Sequence, residues 1–106
     1  MYLVKLPGHP RDRTLRPALV VSVDVRNRWA HDVIVVPLST TLRSAPTHVL
    51  LPQGEGGVHH PSMAKCEQVT TLDKALLIRG PFAGKVSTAM MEQVEHGILR
   101  AIGLVV

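Results

Sequence analysis

The chain has 106 residues, 45% of them hydrophobic, which describes one ordinary globular domain and excludes a disordered one. Its single cysteine, Cys66, excludes an internal disulfide framework and suits a reducing compartment, the cytoplasm. No apolar run approaches the ~18 residues that a membrane helix needs, and the first residues lack a signal-peptide pattern. The net charge is +4 and uneven: residues 1–43 hold seven Lys and Arg against three acids, and the remainder is balanced. A basic half points to a polyanion or an acidic partner, with a solvated basic surface as the alternative.

Residues 2–6 alternate as a short strand would. Residues 7–15, with two prolines, a glycine and no period, predict a loop. Residues 18–25 are rich in β-branched side chains and predict a central strand, with Arg26-Asn27-Arg28 as a polar turn. Residues 31–38 predict a second buried strand. Pro37 argues for an edge, a bulge or the strand's exit there. A loop over 40–46 leads to a third strand over 47–51. The Gly- and Pro-rich stretch 52–61 predicts a long connection, and 62–71 a further strand. Residues 73–77 suit one helical turn, and 80–84 a short strand or turn.

The last segment is the clearest helix. Ser87 suits the N-cap, and Met91, Val94, Ile98 and Ala101 or Ile102 recur at helical spacing. Gly103 is placed to end it, and Gly97 weakens its middle in a way that would permit a close contact. The expected fold is mainly β with α: a small, strongly bent antiparallel sheet or barrel with a C-terminal helix packed on it, in a single domain over residues 1–106.

Several apparent signals fail. Gly80-Pro81-Phe82-Ala83-Gly84-Lys85 has one residue too few for a phosphate loop, and Val86 replaces the magnesium-binding hydroxyl. His59-His60 lacks a nearby carboxylate or cysteine to complete a metal set. Cys66 reads as packing rather than as a nucleophile. Three aromatic residues are too few for extended base stacking.

Four blocks recur in a recognisable order. They are Arg16-Pro17-Ala18-Leu19-Val20-Val21-Ser22, then Val33 to Thr40 ending in Pro37-Leu38-Ser39-Thr40, then Pro46-Thr47-His48-Val49, and then Lys65-Cys66-Glu67-Gln68 with Thr71-Leu72-Asp73-Lys74. With the terminal helix, this order resembles the MazF/PemK family of toxin–antitoxin ribonucleases over nearly the whole chain. The resemblance implies an SH3-like β-barrel, a homodimer, and cleavage of single-stranded RNA without a metal or other cofactor. It also implies a cognate acidic antitoxin as partner.

The implied chemistry uses the RNA 2′-hydroxyl as nucleophile and leaves 2′,3′-cyclic phosphate and 5′-hydroxyl ends. It needs a group to take the 2′ proton, a group to assist the leaving 5′-oxygen, and cations or donors for the phosphorane. By resemblance, Arg16 stands at the scissile phosphate, where a forked, permanently charged guanidinium fits better than a lysine. Ser39 falls where the family has threonine, with Thr40 next to it as an alternative hydroxyl. Glu67 is a candidate general base with Lys65 as neighbouring cation. An ordinary ion pair on one strand face is the competing reading of those two residues. His9, Arg11 and Arg13 fall in the family's RNA-contacting first loop, although the usual His-Glu-Gln run is absent and the sequence there is His9-Pro10-Arg11-Asp12. Thr40, Lys65 and Gln68 complete the expected RNA contacts.

Two other functions share this fold by resemblance. A CcdB-like topoisomerase poison would need a C-terminal tryptophan, whereas this chain ends Gly103-Leu104-Val105-Val106 and has only Trp29. A non-catalytic nucleic-acid-binding relative is the third.

Overall fold

The computed structural model describes residues 1–4, 15–82 and 84–104. Seven strands and two helices are described: β1 (Tyr2–Val4), β2 (Arg16–Val20), α1 (Asp24–Trp29), β3 (Asp32–Ser39), β4 (His48–Leu51), β5 (Ser62–Lys65), β6 (Thr70–Asp73), β7 (Leu77–Arg79) and α2 (Thr88–Ala101). The strands pair antiparallel in the order β4-β5-β3-β2-β1-β7, and β6 joins β3 as a branch. This is the bent sheet with a C-terminal helix expected from the sequence.

The bend is organised by β3. Its first half pairs β6, as in Val33↔Leu72 and Val35↔Thr70, and its last two residues pair β5, as in Leu38↔Ala64 and Ser39↔Met63. Pro37 sits at the change of partner. Ile34 turns its N–H to Ser22 Oγ (3.0 Å) and its carbonyl to the Val21 N–H (2.9 Å), both on the β2 side. Strand alternation then aims the backbone of residue 37 away from β2, into the gap between β6 and β5. The missing N–H of Pro37 therefore costs the ladder nothing. An edge, a bulge or the strand's exit was expected at this proline; it occupies a fork in the middle of the sheet, where β3 changes partner.

β3 is buried on both faces, which accounts for its nearly continuous apolar sequence. Val36 and Leu38 join Leu19, Val49, Leu51, Ala64, Cys66 and Val94 in the cluster under α2. Val33 and Val35 join Val4, Ala18 and Leu72 in a second cluster on the opposite face. Helix α2 begins as the sequence predicts: Ser87 Oγ accepts from the Met90 N–H at 3.2 Å. It buries Val94 and Gly97 and lays Met91 and Ile98 against the first cluster. Its end is closed at Gly103 (φ +88°), with Leu104 N–H to Leu99 O (2.8 Å) and Gly103 N–H to Arg100 O (3.1 Å). Ile102 is exposed beyond the helix rather than packed.

Two strand assignments are corrected. The run 18–25 leaves the strand after Val20, and α1 follows, taking in the residues expected to be a turn. Valines at 21, 23 and 25 imitate strand alternation, but α1 is set by polar groups. Asn27 Nδ2 donates to Ser22 O (2.9 Å), Arg26 pairs with Asp32 (2.5 Å), and Lys74 Nζ donates to Asn27 O. The run 62–71 is interrupted by a 3-10 turn, Cys66–Gln68, that separates β5 from β6. The strand β7 over 77–79 was not anticipated.

Candidate active site

Strand register decides which side chains share a face. In the β2–β3 ladder Ala18 pairs Pro37 and Leu19 pairs Val36. Carried two residues to the strand ends, the same register sets Arg16 beside Ser39, and Ser39 in turn pairs Met63 of β5. Residues opposite one another project to one face. Arg16 shares its face with Ala18, and Ser39 with Val35, so both lie on the face of the second cluster, turned away from α2.

The same rule extends the face across the sheet. Lys65 pairs His48, and Met63 pairs Leu50. Their strand neighbours Val49, Leu51 and Ala64 fill the cluster under α2. His48 and Lys65 therefore project to the side of Arg16 and Ser39. The sheet thus gathers two cations, a hydroxyl and an imidazole on one face, from β2, β3, β4 and β5.

The Ser39 hydroxyl accepts a hydrogen bond from the Thr41 N–H (3.1 Å), which fixes the turn leaving β3. Thr40 is exposed and lies beyond the strand's last residue, outside the face that Ser39 shares with Arg16.

Glu67 and Gln68 are exposed on the 3-10 turn after β5. Because β5 ends at Lys65, the pair Lys65 and Glu67 does not stand on one strand face, which removes the premise of the expected surface ion pair. Glu67 faces β4 instead. Its Oε1 accepts from Thr47 Oγ1 (3.0 Å) and lies 2.7 Å from His48 Nε2. The other ring nitrogen of His48, Nδ1, lies 2.7 Å from the Arg43 carbonyl. Both ring nitrogens thus face oxygens. The His48 side chain is 11% exposed, against 36% for Glu67, so the contact is partly shielded from water.

Thr47 and His48 were not singled out as site residues. Their signal was present in the Pro46-Thr47-His48-Val49 block and in the two-residue alternation of β4, which sets His48 opposite the buried Val49 and Leu51. His9, Arg11 and Arg13 lie outside the described residues. His59 and His60 are exposed, and no group of three or more potential metal-ligating side chains occurs among the described residues. Cys66 is fully buried, and burial pushes its thiol up to about 11, with the Glu67 charge adding to the effect. That environment suits packing, not nucleophilic chemistry.

Comparison with known proteins agrees with the architecture. The family model described as PemK-like, MazF-like toxin of type II toxin-antitoxin system matches residues 1–102. The chain is 34% identical over 91 residues to Endoribonuclease MazF4 of Mycobacterium tuberculosis, which spans 84% of this chain and 80% of that protein. It is 28% identical over 93 residues to Endoribonuclease EndoA of Bacillus subtilis, spanning 86% and 78% of the two chains. A solved mycobacterial endoribonuclease in complex with its cognate antitoxin superposes with a TM-score of 0.81 at 28% identity, over 99% of this chain and 92% of that one. A small bent sheet with a polar, partly cationic face opposite its helix defines a class of protein, and the family is specific. The chain belongs to the PemK-like, MazF-like toxins of type II toxin–antitoxin systems.

Proposed function

We propose that this protein is a sequence-specific endoribonuclease toxin that cleaves single-stranded RNA by attack of the 2′-hydroxyl, without a metal ion. The reading is supported by the β2–β3 register, which, continued past Ala18↔Pro37, brings Arg16 and Ser39 to one sheet face, in a chain whose relatives are named endoribonucleases.

The step follows from the residue types. The 2′-oxygen forms a bond to phosphorus, the 2′ proton passes to a base, the bond from phosphorus to the 5′-oxygen breaks, and the leaving 5′-oxygen takes up a proton from water. The products are a 2′,3′-cyclic phosphate and a 5′-hydroxyl. Arg16 supplies two parallel donors and a fixed charge to the phosphate oxygens, which carry most of the developing charge. Ser39 donates its hydroxyl proton to the same phosphate or orients the 2′-oxygen. Glu67 takes the 2′ proton. Its contacts with Thr47 and His48 both fall on Oε1, which leaves Oε2 to accept the proton. Lys65, Thr40 and Gln68 contact the RNA around the cut, together with His9, Arg11 and Arg13.

The protein works as a homodimer, and an acidic antitoxin neutralises it by covering the same cationic face. The antitoxin complex of the mycobacterial relative supports that partner class. The test is incubation of the protein with a long mixed-sequence single-stranded RNA in excess EDTA, with the cut ends mapped. Discrete cuts bearing 2′,3′-cyclic phosphate ends are expected. Absence of cutting by the folded protein, or cuts bearing 5′-phosphate ends, contradicts the reading.

A further inference from the structure

The His48 ring spans two parts of the molecule that the cleavage reading uses. One ring nitrogen reaches Glu67 on the turn after β5. The other reaches the Arg43 carbonyl in the loop that leaves β3 immediately after Ser39. The far end of that loop is tied to the turn independently: Cys66 N–H donates to Thr47 O (3.0 Å) and Thr47 Oγ1 to Glu67 Oε1 (3.0 Å). Arg100 reaches Pro46 O at 3.4 Å, and His48 N–H donates to Ala45 O (3.0 Å). The near end is held by Thr41 N–H to Ser39 Oγ (3.1 Å) and Arg43 N–H to Thr41 O (3.1 Å). Among the described residues, the His48 ring is what ties the Arg43 carbonyl to the Glu67 side.

We propose that His48 is a positioning residue for RNA cleavage: its ring holds the Glu67 carboxylate and the Arg43 carbonyl together, and so fixes the general base relative to the loop that carries Thr40 and follows Ser39. The inference rests on the endoribonuclease reading above. Loss of the ring leaves Glu67 with its Thr47 contact alone and releases the Arg43 end of the loop. Misplacement of a reacting group by about 1 Å costs on the order of 100-fold in rate.

The experiment compares wild type and His48→Gln on a short single-stranded RNA with one cut site, with Arg16→Ala as the inactive reference. Glutamine keeps one donor towards Glu67 and has none to offer the Arg43 carbonyl in the same pose. The expected result is a fall of kcat by about tenfold or more in His48→Gln, with KM changed by less than about threefold. Hydrogen exchange of residues 41–45 should be faster in His48→Gln than in wild type. Wild-type kcat and loop exchange in His48→Gln overturn the inference while leaving the ribonuclease reading intact. A wild type that cuts no RNA overturns both. Should His48→Gln not fold, His48→Asn takes its place, and wild-type kcat in that variant contradicts the positioning role.

Discussion

A side chain added at Gly97 of α2 would place its Cβ 2.7 Å from the Sγ of Cys66, closer than two such atoms ever stand. The helix lies on the turn after β5 at a separation that only glycine permits, and the Cys66 Sγ in turn sits 3.6 Å from the Val94 carbonyl. Gly97→Ala is therefore expected to destabilise the protein by up to about 2 kcal/mol, since overpacking by roughly 1–3 kcal/mol is only partly offset by the helix-propensity gain of about 1 kcal/mol. Denaturant unfolding measures it. Cys66→Ala in the same chain should recover part of the loss, since the two residues are in contact and their effects are coupled.

The Cys66 thiol should not react with a thiol-specific reagent at pH 8 until the protein unfolds. Its acidity is shifted from the ordinary 9.0 up to about 11 by burial. The linkage has a definite sign. Between pH 9 and 11 the unfolded chain loses this proton while the folded chain keeps it, so stability should fall as pH rises through that window. Cys66→Ala should remove this part of the fall, as read from the unfolding midpoints at pH 8 and pH 10.5. An identical pH dependence in the variant contradicts the assignment.

Of the two adjacent hydroxyls, Ser39 is expected to be the working one. It shares a face with Arg16, whereas Thr40 lies beyond the end of β3. Ser39→Ala should lower the cleavage rate about 10- to 100-fold, in the range found on removal of a single transition-state donor. Thr40→Ala should change the rate by less than about threefold and act mainly on KM. Ser39→Thr should retain activity, since the hydroxyl is kept and the added methyl restrains its rotamer. The reverse order of sensitivity would move the role to Thr40.

The parts of this fold legible in the sequence are those fixed by local chemistry. Ser87 and Gly103 mark the ends of α2 through capping and a left-handed turn, and Gly97 marks the close contact inside it. The parts that were not legible depend on partners distant in sequence. The short helix α1 looked like a strand because Val21, Val23 and Val25 alternate. Its conformation is instead held by Asp32 and Lys74, which no local window connects to it. The break between β5 and β6 was hidden for a similar reason, since Cys66 is drawn beneath α2 by packing with Val94 and Gly97.

The candidate site divides in the same way. Arg16, Ser39 and Glu67 came from motif blocks; the register of β2 and β3 accounts for Arg16 and Ser39 sharing a face, whereas Glu67 stands on the turn after β5. The relation of Lys65 to Glu67 was misjudged because a continuous strand was assumed. His48 was passed over because its motif block and strand alternation set its face but not the two oxygen partners around its ring, which come from the loop after β3 and the turn after β5.

The central claim is that Arg16 and Ser39 form the centre of a metal-free RNA-cleaving site. The most direct test measures cleavage of a single-cut RNA oligonucleotide in excess EDTA by wild type and by Arg16→Ala at equal concentration, with both proteins shown to be folded. Cutting to a 2′,3′-cyclic phosphate by wild type, with a rate at least about 100-fold lower in Arg16→Ala, is the predicted result. Equal cutting by the two proteins, or cutting by wild type only after a divalent metal is restored, would contradict it.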